Sequence, residues 1–142
     1  MPTDTPERRA RRHLSLFLTL SGSVMLMALP TALLPTAWMA TMHRWLGLGV
    51  LTPSPLVEYL TRSASLLYAM HGGLMLLVAR DVRRFADIIV YLAVAHLLFG
   101  AMMVIIDIHA GLPALWVACE GPVVIAAGAW TWVLLRAVRR AS

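Results

Sequence analysis

The sequence predicts an all-α integral membrane protein, a four-helix bundle with a short amphipathic interfacial helix between helices 1 and 2. Of its 142 residues 60% are hydrophobic and 13% are charged, whereas soluble domains average roughly 45–50% and about 25%. Four apolar segments approach the length of about 20 residues that crosses a bilayer core. All twelve basic residues are arginine, and ten of them lie in three clusters beside these segments.

The arginine clusters predict the orientation of the chain. The first contains Arg8, Arg9, Arg11 and Arg12, the second Arg80, Arg83 and Arg84, and the third Arg136, Arg139 and Arg140. Basic residues that flank membrane spans collect on the cytoplasmic face, so we interpret the clusters as topology signals and predict no nucleic-acid partner. Four crossings place all three clusters on one side. The expected location is the bacterial inner membrane, with both termini cytoplasmic.

The first half of the chain is expected to hold a basic cytoplasmic tail, one span and the interfacial helix. Residues 1–13 form the tail, and the span covers about 14–34, where Pro30 and Pro35 kink or end the helix. A helix over about 37–46, stopped by Gly47, gathers its large apolar side chains on one face. These are Trp38, Met39, Met42, Trp45 and Leu46. Such a helix lies flat on the outer membrane surface.

The second half supplies three more spans, at about 63–79, 88–106 and 114–135, within a transmembrane domain of residues 14–136. Residues 137–142 form a second cytoplasmic tail. The helix of the second span is expected to begin before the span itself, with Ser54 as N-cap and Pro55 in its first turn. Glu58 and Arg62 have the spacing of an ion pair on that helix.

Five ionisable residues fall inside the spans or at their mouths: His71, His96, Asp107, His109 and Glu120. Such groups cost roughly 2.5–3.5 kcal/mol each by insertion scales, so they are functional candidates by default. His71 and His96 lie at the same expected depth on two arms of a helical hairpin, which makes them a candidate cofactor-binding pair. We expect no cofactor, and the alternative is haem b bound by these two histidines. The other interpretation is structural, with each histidine hydrogen-bonded to a neighbour such as Tyr68.

The acidic residues suggest a proton or ligand relay. Asp107, Glu120, His96 and His71 form a ladder that descends from the outer face, and Tyr68 and His109 are additional candidates for this relay. Alternatively, Glu120 bonds His96 or the Ala118 carbonyl, which Pro122 leaves without its helical donor. Asp107, His109 and His43 have no dense ligand spacing, so no metal site is predicted. No enzyme motif is present, and catalytic residues stay unassigned.

Four sequence segments carry a resemblance to a known type of protein: SLLYAMHGGLMLL at 65–77, ARDVRRF at 79–85, IDIHAGLP at 106–113 and CEGP at 119–122. Together they resemble a family of small four-span bacterial membrane proteins, and the general layout is similar to that of DoxX-like proteins. The resemblance covers about residues 14–135. It implies an architecture and no activity or site residue.

The expected function is that of a non-enzymatic inner-membrane component. The alternative is a membrane protein that handles protons, a small ligand or haem through the intramembrane ladder. The expected partners are the lipid bilayer and either a second copy of the chain or another membrane protein.

Overall fold

A computed structural model of the chain describes residues 5–141, and within that range every regular element is a helix. The helices are α1 (Pro6–Leu26), α2 (Ala28–Thr31), α3 (Thr36–Trp45), α4 (Pro55–Ala79), α5 (Ala86–His109) and α6 (Ala114–Ala141). The predicted all-α class is confirmed. In this range three segments are long and apolar enough to cross a membrane: Pro6–Thr31, Ala86–His109 and Ala114–Ala141. The 25-residue α4 is as long, but its polar residues exclude it from this group.

Pro30 explains why the first apolar segment divides into α1 and α2. A proline has no N–H to donate to the carbonyl four residues earlier, and its ring clashes with that carbonyl. The residue four positions before Pro30 is Leu26, where α1 ends, and α2 resumes after Met27. The predicted disruption by Pro30 therefore occurs one turn before the proline itself.

The short helix α3 lies almost where the sequence analysis placed the amphipathic helix. It begins after Pro35 and ends at Trp45, and Gly47 follows with a φ of 74°, a left-handed conformation that glycine adopts without strain. Met39 is buried, whereas Trp38 and Trp45 are 65% and 85% exposed. The helix therefore presents two large indole rings outward.

The start of α4 is capped as predicted. The Val57 N–H donates to Ser54 Oγ over 3.2 Å, and Pro55 opens the helix. The expected pairing of Glu58 with Arg62 is replaced by longer-range bonds. Thr36 donates to Glu58 Oε1 over 2.9 Å, and Arg62 donates to the Ala32 carbonyl over 2.6 Å. Because each side chain has a partner in another segment, neither forms the weak ion pair between Glu58 and Arg62 within α4.

The chain forms two compact units, and each has its own helix contacts. Among the described residues, the first comprises 5–19 and 77–141, and the second is Leu20–Leu76. In the first unit, α5 packs along α6. Its fully buried apolar side chains are Leu14, Leu18, Val78, Ile89, Leu92 and Ala93.

In the second unit, α1 and α4 cross where both helices carry glycine. A Cβ atom added to Gly72 would lie 2.6 Å from the Gly22 carbonyl oxygen, and one added to Gly22 would lie 2.8 Å from the Gly72 oxygen. The two backbones are therefore in direct contact. Close approach through small residues is how helices associate in a membrane, where apolar side chains gain little by leaving lipid.

Candidate functional site

The crossing of α5 and α6 positions the candidate site. A Cβ atom added to Gly100 would lie 2.7 Å from the Gly121 oxygen, and one added to Gly128 would lie 2.8 Å from the Ala93 oxygen. Two successive glycine contacts thus hold the helices backbone to backbone over several turns. The polar side chains near this crossing are consequently fixed by rigid elements rather than by loops.

Asp107 is the most deeply buried ionisable residue of the α5 face. It is 1% exposed, and within residues 5–141 its Oδ2 has no hydrogen-bond partner. Its own carbonyl accepts the Leu112 N–H over 3.1 Å, because Gly111 reverses the chain with a φ of 68°. This Schellman turn fixes the backbone of Asp107 at the end of the helix. The buried, unsatisfied oxygen is an unusual feature that suggests a function.

Glu120 on α6 supplies the second carboxyl group. Its Oε2 accepts a hydrogen bond from the indole Nε1–H of Trp116, one turn earlier on the same helix. Glu120 is half-buried, and the next residue, Gly121, contacts Val104, one turn before Asp107 on α5. The expected partners of Glu120 were His96 and the Ala118 carbonyl, but its hydrogen bond is with Trp116. A buried carboxyl oxygen with no partner among residues 5–141, on a helix packed against a second acidic residue, can bind a proton.

His96 shares the buried face of α5 with Gly100 and Asp107. It is 9% exposed, and its Nδ1 lies 2.7 Å from the Leu92 carbonyl oxygen. Because the carbonyl can only accept, Nδ1 carries the proton of this bond and Nε2 remains the other polar atom of the ring. The bond within α5 agrees with the structural interpretation of His96.

Tyr68 and His71 lie on α4 within the second unit, where both are half-buried. His96 belongs to the first unit, so its approach to His71 stays a prediction, as does haem binding by the two.

The remaining candidates lie in more exposed positions. The His109 Nδ1 is 3.1 Å from the Ile105 carbonyl oxygen, and the His43 Nδ1 is 3.2 Å from that of Gly49. Over the described range, no three His, Cys, Asp or Glu side chains are grouped so that they could hold a metal ion.

Sequence reasoning missed some features of the site. Trp116 was not considered as a partner of Glu120, although its spacing of four residues from Glu120 is the usual signal for side-chain contact on a helix. Gly128 was not singled out, because a lone glycine in an apolar helix gives no sign of which neighbour approaches it. Asp107 was expected at the mouth of its helix, whereas its carboxyl group is almost fully buried.

Comparison with known proteins identifies no relative: no family model, no curated protein and no solved structure matches this chain.

Proposed function

We propose that the chain is a non-enzymatic component of the bacterial inner membrane with four spans, formed by α1, α4, α5 and α6, and with both termini in the cytoplasm. The main support is the apolar surface of its helices. Only 17–28% of the residues in the apolar windows of the three candidate spans are buried. A soluble protein rarely exposes so large a continuous apolar surface, and lipid is the environment that accepts it.

The inclusion of α4 as a span rests on its length and its exposed side chains. Its 25 residues extend for about 37 Å at 1.5 Å per residue, compared with a hydrocarbon core of about 30 Å. Leu67 and Met70 on this helix are 68% and 72% exposed. Glu58 and Arg62 occupy its first turns, outside the stretch from residue 63 that would cross the lipid.

The proposed orientation is supported by ion pairs that gather the three arginine clusters at one end of the first unit. Arg83, in the turn before α5, lies 3.5 Å from Glu7 at the start of α1. Arg139, near the end of α6, lies 3.8 Å from Asp87 at the start of α5. A single basic end is what the positive-inside rule requires of the cytoplasmic side.

Reporter fusions in a bacterial host test this topology. Alkaline phosphatase, which is active only outside the cytoplasm, is expected to be active when fused after Gly49 or Gly111 and inactive after Arg83 or at the C-terminus. Green fluorescent protein is expected to give the opposite pattern. If α4 does not span, the fusions after Gly49 and Arg83 will report the same side, and the four-span arrangement is refuted.

A second candidate function is proton binding by the carboxyl pair of Asp107 and Glu120. The observation that favours it is the Oδ2 atom of Asp107, which is buried and has no hydrogen-bond partner among residues 5–141, on the helix that packs against the one carrying Glu120. Two negative charges in a low-dielectric site repel each other, and a proton on either carboxyl group removes that repulsion. Intramembrane carboxyl groups of this kind form the steps of proton pathways.

Infrared spectroscopy tests proton binding directly, because a protonated carboxyl group has a carbonyl band that a carboxylate lacks. We expect this band at neutral pH in the native protein and its loss in Asp107→Asn or Glu120→Gln. Asp87→Asn, which alters an exposed carboxyl group of α5, is the matched control and should leave the band unchanged. A native protein without the band at neutral pH would refute the proposal.

A further inference from the structure

A basic groove lies in the first unit, beside the start of α1 and the turn between α4 and α5. It has a volume of about 440 Å³ and is lined by Arg8, Arg11, Arg12, Ser15, Ala79, Arg80, Asp81, Val82 and Arg83. Five of these nine residues are arginine. Sites of about 300–1,000 Å³ accommodate small molecules or parts of larger ones.

The carboxylates near the groove leave most of its positive charge unbalanced. Glu7 lies 3.1 Å from Arg11 and 3.5 Å from Arg83, so one carboxylate serves two arginines. The Asp81 Oδ1 accepts the backbone N–H groups of Arg83 and Arg84 over 3.2 and 3.1 Å.

Three groove arginines, Arg8, Arg12 and Arg80, form no ion pair with any carboxylate among residues 5–141. In addition, the Arg11 Nε is buried and has no hydrogen-bond partner among these residues. The groove therefore presents both unpaired cations and an unused N–H donor.

The groove is held by the fold, which distinguishes it from a solvated basic tail. Ser15 Oγ donates to the Ala79 carbonyl over 2.7 Å and ties α1 to the end of α4. Val82 is 5% exposed, and Leu14 and Val78 are fully buried close by in sequence. The side-chain oxygen of Asp81 fixes the turn that carries the arginines. The backbone positions that carry the arginines are thus set before any ligand binds, which lowers the entropic cost of binding.

Phosphate is the anion that best matches these donors. A guanidinium group presents two parallel N–H donors to two phosphate oxygens, and this arrangement makes arginine the preferred residue for phosphate recognition. A carboxylate ligand would satisfy one arginine in this way, whereas five arginines line the groove. A phosphate-bearing anion can use more of them at once.

The surroundings of the groove favour a lipid over free phosphate. The apolar part of α1 begins at Leu14, two residues after Arg12, and the apolar part of α4 ends at Ala79, directly before Arg80. Leu16 and Leu77 are 53% and 47% exposed just beyond the basic residues. A bound phosphate would have apolar surface next to it, where acyl chains can lie. Basic pockets on the cytoplasmic side of membrane helices bind anionic lipid headgroups in this way.

We propose that this groove is a binding site for the phosphate group of an anionic phospholipid. The test uses the full chain purified in a neutral detergent, with phosphatidylglycerol, phosphatidylcholine and inorganic phosphate as three separate probes. The variant Arg12→Gln/Arg80→Gln removes two groove charges. Arg9→Gln/Arg84→Gln is its matched control, because it removes the same charge from the same two segments at positions outside the groove lining.

We expect saturable binding of phosphatidylglycerol, measured by native mass spectrometry, that is at least tenfold weaker in Arg12→Gln/Arg80→Gln and within twofold of the native value in the control. Phosphatidylcholine, whose choline group is cationic, should bind at least tenfold more weakly than phosphatidylglycerol. Inorganic phosphate should fail to displace phosphatidylglycerol at concentrations a hundredfold above that of the lipid.

Three results would overturn the proposal. If the groove variant and its control lose equal affinity for phosphatidylglycerol, the lipid is held by diffuse charge attraction. If the two lipids bind equally well, the groove does not select anionic lipids. If inorganic phosphate displaces phosphatidylglycerol, the site belongs to free phosphate. Circular dichroism and gel filtration check that the variants fold. If Arg12→Gln/Arg80→Gln does not fold, Arg8→Gln/Arg12→Gln on α1 alone repeats the test. Because binding is measured in detergent, the result does not depend on the number of spans.

Discussion

Replacement of Gly100 by alanine tests whether the backbone contact between α5 and α6 holds the first unit together. The added Cβ atom would lie 2.7 Å from the Gly121 carbonyl oxygen, 2.8 Å from Ile125 Cγ1 and 2.9 Å from the Ile125 nitrogen. Ordinary van der Waals contact begins at 3.4 Å. Since two of the three neighbours are backbone atoms, no side-chain rotation relieves the clash, and the helices must separate.

The size of the effect follows from two opposing terms. Overpacking of a close contact costs about 1–3 kcal/mol, and glycine to alanine in a helix interior gains about 1 kcal/mol from helix propensity. The net loss in the free energy of unfolding for Gly100→Ala is therefore up to about 2 kcal/mol. Gly73→Ala is the matched control, because its Cβ atom meets nothing within 4 Å. That variant is expected to gain about 0.5–1 kcal/mol.

Both variants gain the same helix propensity, so the difference between their free energies of unfolding measures the clash alone, at about 1–3 kcal/mol. Unfolding by sodium dodecyl sulfate of protein held in mild detergent, followed by circular dichroism, measures both free energies. If Gly100→Ala is as stable as Gly73→Ala, the helices are not in backbone contact at Gly100. The description of the α5–α6 crossing would then be wrong.

Three further substitutions, one of them with a matched control, probe other contacts in the same unfolding assay. Leu92→Ala should lower the free energy of unfolding by about 2–5 kcal/mol, because Leu92 is fully buried. Its control is Leu98→Ala, at a position that is 64% exposed, which should change this free energy by less than about 0.5 kcal/mol. Equal effects of the two substitutions would contradict the assigned core. Trp116→Phe keeps most of the ring but removes the donor to Glu120, and should cost about 1 kcal/mol; no loss would show that this hydrogen bond is not stabilising. Gly72→Leu should separate α1 from α4, since even the Cβ atom of the leucine would lie 2.6 Å from the Gly22 carbonyl oxygen. If this variant has the same free energy of unfolding as the native protein, the close crossing of α1 and α4 is excluded.

Local signals in the sequence were sufficient for much of the secondary structure. Ser54 and Pro55 predicted the start of α4, and Gly47 predicted the end of α3, because each of these effects depends on bonds within one or two turns. The effect of Pro30 was also foreseen, although the break occurs at the carbonyl with which the proline ring clashes rather than at the proline.

Side-chain partners were predicted less well where a distant segment competes. Glu58 and Arg62 have ideal spacing for an ion pair, yet they bond Thr36 and the Ala32 carbonyl. An exposed pair within one helix gains only about 0.2–0.5 kcal/mol, so a competing partner easily replaces it. Glu120 shows a different error, because Trp116, one turn away on its own helix, was overlooked in favour of His96 and the Ala118 carbonyl.

The sequence by itself determined that the chain is helical and apolar and that its arginines collect at the ends of its apolar segments, because composition and short-range spacing govern these properties. Only the tertiary structure decided which glycines are contact points, that Asp107 is buried with an oxygen that has no partner in the described part of the chain, and that arginines from two distant segments line one groove. Those features depend on which helices meet and at what level. That choice is made by contacts between residues far apart in the chain, which no local pattern encodes.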